Sequence, residues 1–130
     1  MSLYKYGFTL IEILIVVSLI AILTAMAIPN LLRAKVASND TLAKATLRCV
    51  ATALESYISS NSQYPDTTDK LLTGNPPYMN VDYFTGTYNG FTFSAELNSF
   101  FYSVTATPDH PNHGSASFTI STGGSIIINE

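Results

Sequence analysis

One uninterrupted apolar run near the N-terminus limits the folds that are open to this chain. Residues 8–28 contain a single ionisable side chain, Glu12, among Ile, Leu, Val and Ala residues. At a helical rise of about 1.5 Å per residue, a run of this length is roughly 30 Å long, which is the thickness of the hydrocarbon core of a bilayer. The sequence therefore predicts a membrane-spanning helix here, with one globular domain formed by the remainder of the chain.

Glu12 is the costly residue in this run. An ionisable group within the hydrocarbon costs on the order of 2.5–3.5 kcal/mol on insertion scales. Glu12 is tolerated if it snorkels to the membrane edge or is protonated, but neither explains why an acid is present. A buried cation would explain it, because a closely paired cation offsets the cost of burying the carboxylate. A cut between Gly7 and Phe8 creates such a cation, the new α-amine, which belongs to the same chain or, in a better arrangement, to an adjacent subunit. The second pairing would fix the axial stagger between identical packed helices.

Residues 7–12 read GFTLIE, and they are followed by the apolar run and then by Ala27-Ile28-Pro29. This pattern resembles the N-terminus of the type IV pilins and the related pseudopilins. The resemblance implies cleavage by a prepilin peptidase after Gly7, N-methylation of Phe8, and assembly of the helices into a filament core through Phe8, Glu12 and Pro29. It covers residues 7–35 strongly and the rest of the chain only as a general plan of a helix followed by a sheet.

Pro29 and the segment after it predict how the helix continues. Because proline lacks an N–H, the Ala25 carbonyl loses its normal donor, and a kink or local melting is expected at residues 25–29. The polar run of residues 38–40 is expected to weaken the helix again. Helical periodicity then resumes and ends near Ser60-Asn61, with one apolar stripe formed by Leu47, Val50, Ala51, Leu54, Tyr57 and Ile58.

The C-terminal half predicts a small antiparallel sheet. Residues 62–90 are rich in turn-forming residues, and residues 91–95 alternate as a strand does. The last hairpin is expected to turn at Gly123-Gly124 through a two-residue loop. The predicted fold is therefore α+β, with three or four strands packed on the apolar stripe. The predicted division is a leader at 1–7, a membrane or filament-core helix at 8–34 and a head at 35–130. A second strand is expected to place four residues on one face: Phe100, Tyr102, Val104 and Ala106.

Composition argues against several classes of protein. The formal net charge is −3, so no nucleic acid is predicted as a direct partner. The single cysteine, Cys49, forms no intrachain disulfide and is expected to pack inside the head. The sequence contains no nucleophile elbow, Cys–His pair, phosphate-binding glycine loop or zinc motif, which predicts that the chain is not an enzyme and carries no cofactor.

Two groups of possible metal ligands are weak candidates, and no metal site is predicted. His110 and His113 lie in a Pro/Gly loop without a third ligand. The acidic residues of the connecting loop have no spacing that would form a rigid calcium cage; they are Asp66, Asp69 and Asp82. Residues 39–41 match a glycosylation sequon, a short pattern that occurs often by chance.

Together, these expectations predict that the protein is a structural subunit of a filament. Its precursor is held in the inner or plasma membrane, is cut by the prepilin peptidase, and is polymerised by a pilus assembly machinery into an extracellular or periplasmic homo-oligomeric fibre. A pseudopilin of a type II secretion system, forming a short pseudopilus, is one alternative. A soluble binding domain released by signal cleavage after Ala27 is the other. The sequence leaves open whether the fibre serves adhesion, motility, DNA uptake or secretion.

Overall fold

The structure is a computed structural model, and it describes residues 6–129. Internal contacts divide the described chain into two units on either side of the Ala34–Lys35 bond. The elements are two helices, α1 (Leu10–Asn61) and α2 (Asp69–Leu72), and five strands, β1 (Thr87–Tyr88), β2 (Phe91–Leu97), β3 (Tyr102–Pro108), β4 (Ser117–Ser121) and β5 (Ile126–Asn129).

Helix α1 ends where the sequence predicts. Its last residue is Asn61, and the next residue, Ser62, has a positive φ of 62° and donates its N–H to the Ile58 carbonyl at 2.8 Å. A residue in the left-handed region just after a helix is a common way to end it, because its N–H satisfies a carbonyl of the last turn. The helix therefore stops before the proline-containing segment that begins with Tyr64-Pro65.

Of the kink or local melting predicted at residues 25–29, the local melting is wrong and the kink stays a prediction. Helix α1 continues through Pro29 without interruption. A proline removes one backbone hydrogen bond, and the other bonds of the turn remain. In addition, the Asn30 side chain donates to the Met26 carbonyl at 3.1 Å, so the turn beside Pro29 gains a bond from a side chain.

The five strands form one antiparallel sheet in the order β1-β2-β3-β4-β5. Each strand pairs with the next one along the chain, so every connection is a hairpin. The last hairpin turns through Thr122–Ser125, which is longer than the predicted two-residue loop. Both of its glycines have positive φ, 100° at Gly123 and 75° at Gly124, as the sequence predicts. The α+β fold class is confirmed.

The core of the head lies between α1 and one face of the sheet. Leu47, Val50 and Leu54 are completely buried, and Ala51 is 6% exposed, so the predicted stripe of α1 is the face that packs. Burying a Leu or Val side chain contributes about 1.5–3 kcal/mol. The sheet contributes alternate residues to the same core, namely Phe91, Phe93, Tyr102, Val104, Ala106, Phe118 and Ile120.

Three sequence-based expectations about the head are wrong. Phe100 precedes β3 and is 84% exposed, whereas the three other residues expected on its face are buried. Cys49 is exposed, because on α1 it lies away from the stripe that packs on the sheet. The polar run at 38–40 does not interrupt the helix. Its Asp40 accepts bonds from both the N–H (3.0 Å) and the hydroxyl of Ser115, so it fastens the β3–β4 loop to α1.

Gly114 allows that loop to approach the core. A Cβ at this position would lie 2.3 Å from Cζ of the buried Phe91 ring and 3.0 Å from Cβ of Pro108. We expect Gly114→Ala to lower the free energy of unfolding by about 2 kcal/mol, the usual cost of overpacking a core. Chemical denaturation followed by circular dichroism measures the loss. The double variant Gly114→Ala/Phe91→Leu shortens the opposing side chain, so it should lose less stability than the sum of the losses of Gly114→Ala and Phe91→Leu. Additive losses would contradict the clash.

Tyr102 is a fully buried residue whose hydroxyl has no hydrogen-bond partner among the residues that the structure describes. Its ring meets the Tyr64 ring edge-on at 5.2 Å, and the Tyr64 hydroxyl donates to Glu55 Oε1 at 3.0 Å. Burial, reinforced by the negative charge of Glu55, raises the pKa of Tyr102 to about 12. The folded head therefore favours the protonated phenol.

This pKa predicts a loss of stability in alkali. The unfolded value is 10.0, so the contribution of Tyr102 is complete below pH 10 and is lost as the pH rises to about 12. We expect a loss of the order of 2 kcal/mol in the detergent-solubilised chain, and a clearly smaller loss in Tyr102→Phe. Denaturant titrations between pH 8 and pH 12 measure the difference. Tyr64→Phe, which retains the Tyr102 phenol, is the matched control. The same alkaline loss in Tyr102→Phe and the native chain would refute the assignment.

Candidate functional site

The first part of α1 presents an apolar surface that is exposed in the described part of the chain, residues 6–129. The large apolar residues from Leu10 to Leu32 are each between 50% and 85% exposed. The most apolar 18-residue window of α1 has a mean hydropathy of 2.7, and none of it is buried within the protomer. By length and composition alone, the helix could cross a membrane. Exposure to water is unfavourable by about 25 cal/mol per Å² of apolar surface, so this surface requires lipid or protein around it.

Thr9 and Glu12 form a reciprocal cap at the start of α1. Thr9 directly precedes the first helical residue. Its N–H and its hydroxyl both donate to Glu12 Oε2, at 2.8 and 2.7 Å, while the N–H of Glu12 donates back to Thr9 Oγ1 at 3.3 Å. This is a capping box, in which two N–H groups that the helix leaves unpaired are satisfied by side chains. A negative charge in the first turn also interacts favourably with the helix dipole.

The cap uses only one of the two carboxylate oxygens. Both Thr9 donors reach Oε2, and among residues 6–129 no hydrogen-bond donor reaches Oε1. A carboxylate accepts several hydrogen bonds, so capping leaves Glu12 able to bind a further cation or donor. The sequence-based interpretation of Glu12 missed the cap, although the signal, a Thr followed three residues later by a Glu before an apolar run, is present.

Gly7 and Phe8 lie outside the helix and are exposed. Neither has helical structure, and Phe8 is 85% exposed. A Cβ at Gly7 would meet nothing within 4 Å, and its φ does not lie in the left-handed region. The protomer's fold therefore has no need of a glycine at this position. The Gly7–Phe8 bond is exposed and lies outside the helix, whereas the alternative cleavage site at residues 25–27 lies within α1.

The structure brings together only some of the residues predicted for the site. Gly7, Phe8 and Glu12 lie within one short segment, but Glu12 contacts Thr9 and not Gly7 or Phe8 through its hydrogen bonds. Pro29 lies farther along α1 and belongs to the same exposed apolar surface. The described part of the N-terminal segment is therefore capped at Thr9 and Glu12 and is exposed.

The weaker candidates have local partners in the head. His113 Nδ1 lies 2.6 Å from Asp109 Oδ1, and the centroids of the His110 and His113 rings are 5.7 Å apart. Asp66 forms an ion pair with Lys70 at 2.7 Å. Asp82 accepts bonds from the Thr85 hydroxyl and the Phe84 N–H, which together lower its pKa. The Asn39 amide donates to the His113 carbonyl at 2.9 Å, so the nitrogen of the sequon is already engaged within the fold.

Comparison with known proteins points to the same N-terminal segment. Residues 3–28 match the prokaryotic N-terminal methylation motif. The chain is 42% identical over 65 residues to the type IV major pilin protein PilA of Myxococcus xanthus, and these cover 50% of this chain and 30% of the relative. It is 45% identical over 67 residues to the type IV wide pilus major component PilA4 of Thermus thermophilus, with 52% of this chain and 51% of the relative covered.

A relative that belongs to a secretion system has a comparable sequence identity to this chain. The type II secretion system core protein G of Pseudomonas aeruginosa is 38% identical over 80 residues, covering 57% of this chain and 56% of the relative. The chain thus spans about half the length, or less, of these curated relatives. The methylation motif, the exposed apolar helix and the two kinds of relative together confirm that about half of this chain resembles the type IV pilins and the type II secretion pseudopilins.

Proposed function

We propose that this chain is a structural subunit of a type IV pilus-like filament and not an enzyme. The observation that carries the proposal is the apolar surface of residues 10–32, which the described residues of the protomer leave exposed. A prepilin peptidase removes residues 1–7, the helix at 8–34 holds the subunit in the membrane, and the head at 35–130 lies outside it. The membrane-held precursor then enters an extracellular or periplasmic fibre through the inner-membrane assembly machinery.

Processing prepares the assembly site chemically. Cutting after Gly7 turns the Phe8 nitrogen from an amide into an amine, which N-methylation leaves basic. An α-amine is protonated at neutral pH, so the cut adds a cation at the beginning of an apolar helix. The accessible Gly7–Phe8 bond supports this order of events, because the peptidase reaches it without unfolding α1.

The Glu12 carboxylate is the partner proposed for that amine. In a membrane the capped carboxylate still carries an uncompensated charge, which is costly there. Oε2 is held by Thr9, and Oε1 is left to accept a bond from the Phe8 amine of the adjacent subunit. Lipid tails are as apolar as the helix, so packing and this ion pair decide assembly, rather than escape from water. A subunit in the wrong register leaves both charges unpaired and is rejected.

A second candidate function has an observation of its own. The similarity to type II secretion system core protein G favours a pseudopilin that forms a short pseudopilus. Both candidates use the same N-terminal chemistry, and they differ in the length and the location of the fibre. Long surface fibres made mostly of this chain would identify a pilin, whereas periplasmic filaments that are needed for secretion would identify a pseudopilin.

The proposal is tested by analysing fibres sheared from cells. Electron microscopy shows whether filaments are present, and mass spectrometry of the N-terminal peptide shows how the subunit was processed. We expect the peptide to begin at methylated Phe8. A peptide that begins at Met1 would contradict processing, and a soluble protein that begins at Ile28 would show that the chain is a secreted domain.

A further inference from the structure

The loop between β3 and β4 brings the two histidines of the chain together. Pro111 and Asn112 separate His110 from His113, and the N–H of His113 donates to the His110 carbonyl at 2.9 Å. This bond closes a β-turn, in which proline is favoured at the second position and the two end residues lie within about 7 Å of each other. The centroids of the two imidazole rings are 5.7 Å apart. The turn therefore presents both rings side by side without a helix.

The rest of the head holds this turn in place. The N–H of Asp109 donates to the Gly90 carbonyl at 3.0 Å, and the Asn39 side chain donates to the His113 carbonyl at 2.9 Å. A Cβ at Gly90 would lie 2.8 Å from Cβ of His113, so the β1–β2 turn packs directly against this histidine. Order that exists before binding lowers the entropic cost of binding. A ligand of the two rings therefore meets a loop that is already folded.

Asp109 orients one of the two rings. Its Oδ1 lies 2.6 Å from Nδ1 of His113. When the ring is neutral, this contact places the ring proton on Nδ1 and leaves the lone pair on Nε2. Metal-binding histidines commonly make the same contact, since a carboxylate on the other ring nitrogen fixes the tautomer and makes the imidazole more basic. His110 is exposed, so its ring is free to turn toward the same ion.

We propose that His110 and His113 bind one divalent transition-metal ion and that Asp109 positions the His113 ring. The proposal goes beyond filament formation and does not depend on it. Imidazole suits Cu²⁺, Ni²⁺ and Zn²⁺, with Cu²⁺ bound most tightly, whereas Ca²⁺ and Mg²⁺ require oxygen ligands. With metal–nitrogen distances of about 2.0–2.1 Å, the centres of two rings on one ion lie about 5–6 Å apart. The observed 5.7 Å lies within this range.

Water completes the coordination of the ion in this proposal. Among residues 6–129, no group of three His, Cys, Asp or Glu side chains could hold an ion together. Two protein ligands and water give a dissociation constant of the order of 10–100 µM, far weaker than that of zinc sites with four protein ligands. The sequence predicted no metal site because a third ligand is missing, and the structure adds the turn and the contact with Asp109. A bound ion joins the two ends of the turn and stabilises the folded head by mass action.

Isothermal titration calorimetry of the untagged, detergent-solubilised chain tests the site. The parent carries Cys49→Ser, because a thiolate also binds these metals. We expect one Cu²⁺ ion per chain, weaker binding of Zn²⁺ and no binding of Ca²⁺. His110→Ala and His113→Ala should each weaken Cu²⁺ binding roughly ten-fold or more, and Asp109→Ala roughly ten-fold, the usual effect of losing the carboxylate behind a ligand. Asp69→Ala, which removes an acid from α2, is the matched control and should change nothing.

Several results would overturn the proposal. The parent without Cu²⁺ binding below about 1 mM would exclude the site. Native Cu²⁺ affinity in either histidine variant would exclude a site made by both rings. Equal affinities of Asp109→Ala and Asp69→Ala would remove the positioning role of Asp109. One ion per two chains would place the histidines between copies and not within one loop.

The histidine variants should fold, because the bonds of this turn to His110 and Asn39 use the backbone of His113 and not its ring. Circular dichroism checks this. If a variant does not fold, nuclear magnetic resonance of the Cys49→Ser parent decides, since Cu²⁺ is paramagnetic and broadens the signals of nearby nuclei. Broadening centred on residues 109–113 would support the site, and broadening centred elsewhere would overturn it.

Discussion

Cells in which Glu12→Gln replaces the native chain will cut the subunit normally and assemble no fibres. Glutamine retains the carboxamide oxygen that a capping box needs, so the bonds from Thr9 are preserved. What the substitution removes is the negative charge. In the proposed pairing, the Phe8 amine of the adjacent subunit would then have no counter-ion in the filament core, and this would destabilise the contact by about 3–5 kcal/mol per subunit. Fibre number is counted by electron microscopy, and processing is followed by mass spectrometry.

A complementary variant separates the two roles of Glu12. Thr9→Val removes the hydroxyl that donates to Oε2 and keeps the charge of Glu12. We expect it to weaken the start of α1 by about 1 kcal/mol, the usual value of a helix cap, and still to form fibres. The opposite pattern, with abundant fibres in Glu12→Gln and none in Thr9→Val, would mean that Glu12 acts as a cap and not as a counter-ion.

Gly7→Leu will leave the protomer folded and will block assembly through a failure of processing. Gly7 is exposed, a Cβ there would meet no atom within 4 Å, and the residue lies outside every helix and strand. The head should therefore keep its unfolding midpoint. If the peptidase reads the small residue before the bond, the chain retains residues 1–7, no amine forms at Phe8, and Glu12 lacks its partner. Immunoblots should show an uncut precursor in the membrane fraction and no sheared fibres.

Three results would count against this explanation of Gly7. Abundant fibres whose subunits still carry residues 1–7 would show that assembly does not need the amine. A head that is destabilised by Gly7→Leu would show that the glycine has a structural role that the protomer does not explain. A normally cut Gly7→Leu subunit that forms fibres would show that the peptidase does not need the glycine.

The helix and the sheet follow from local periodicity, which is why the sequence predicts them well. Apolar residues of α1 recur at three- and four-residue spacing, and Tyr102, Val104 and Ala106 alternate along β3. Each pattern needs only a local stretch of chain to be recognised. Phe100 fits the same alternation but precedes the strand, because the alternation does not encode where pairing with β2 begins. The first pair on that side is Leu97 with Tyr102.

Features that depend on distant contacts were missed. Asp40 is helical, although its type is a weak helix former, because its carboxylate binds Ser115, 75 residues further along the chain. The exposure of Cys49 depends on which face of α1 the sheet covers. At Pro29 the prediction of local melting is wrong, because a proline removes one backbone bond and α1 continues through it, whereas a kink there stays a prediction.

The features of the candidate site likewise separate into those that local sequence predicts and those that need distant contacts. Gly7, Phe8 and Glu12 are visible in the sequence because their chemistry lies within one short segment. The capping box is equally local, but the sequence-based interpretation of Glu12 considered only its charge and not its hydrogen bonds to Thr9. The placing of the histidine turn in the β3–β4 loop could not be predicted, because it requires the bonds that Asn39 and Gly90 make to that loop.

A map of sheared fibres by cryo-electron microscopy, at a resolution that shows side chains, tests the central claim most directly. The pairing of Glu12 with a cut N-terminus requires each subunit to begin at Phe8. It also requires a Glu12 carboxylate oxygen within about 4 Å of the Phe8 nitrogen of an adjacent subunit. Density for residues 1–7 at the start of each helix, or Glu12 without an amine at that distance, would contradict it.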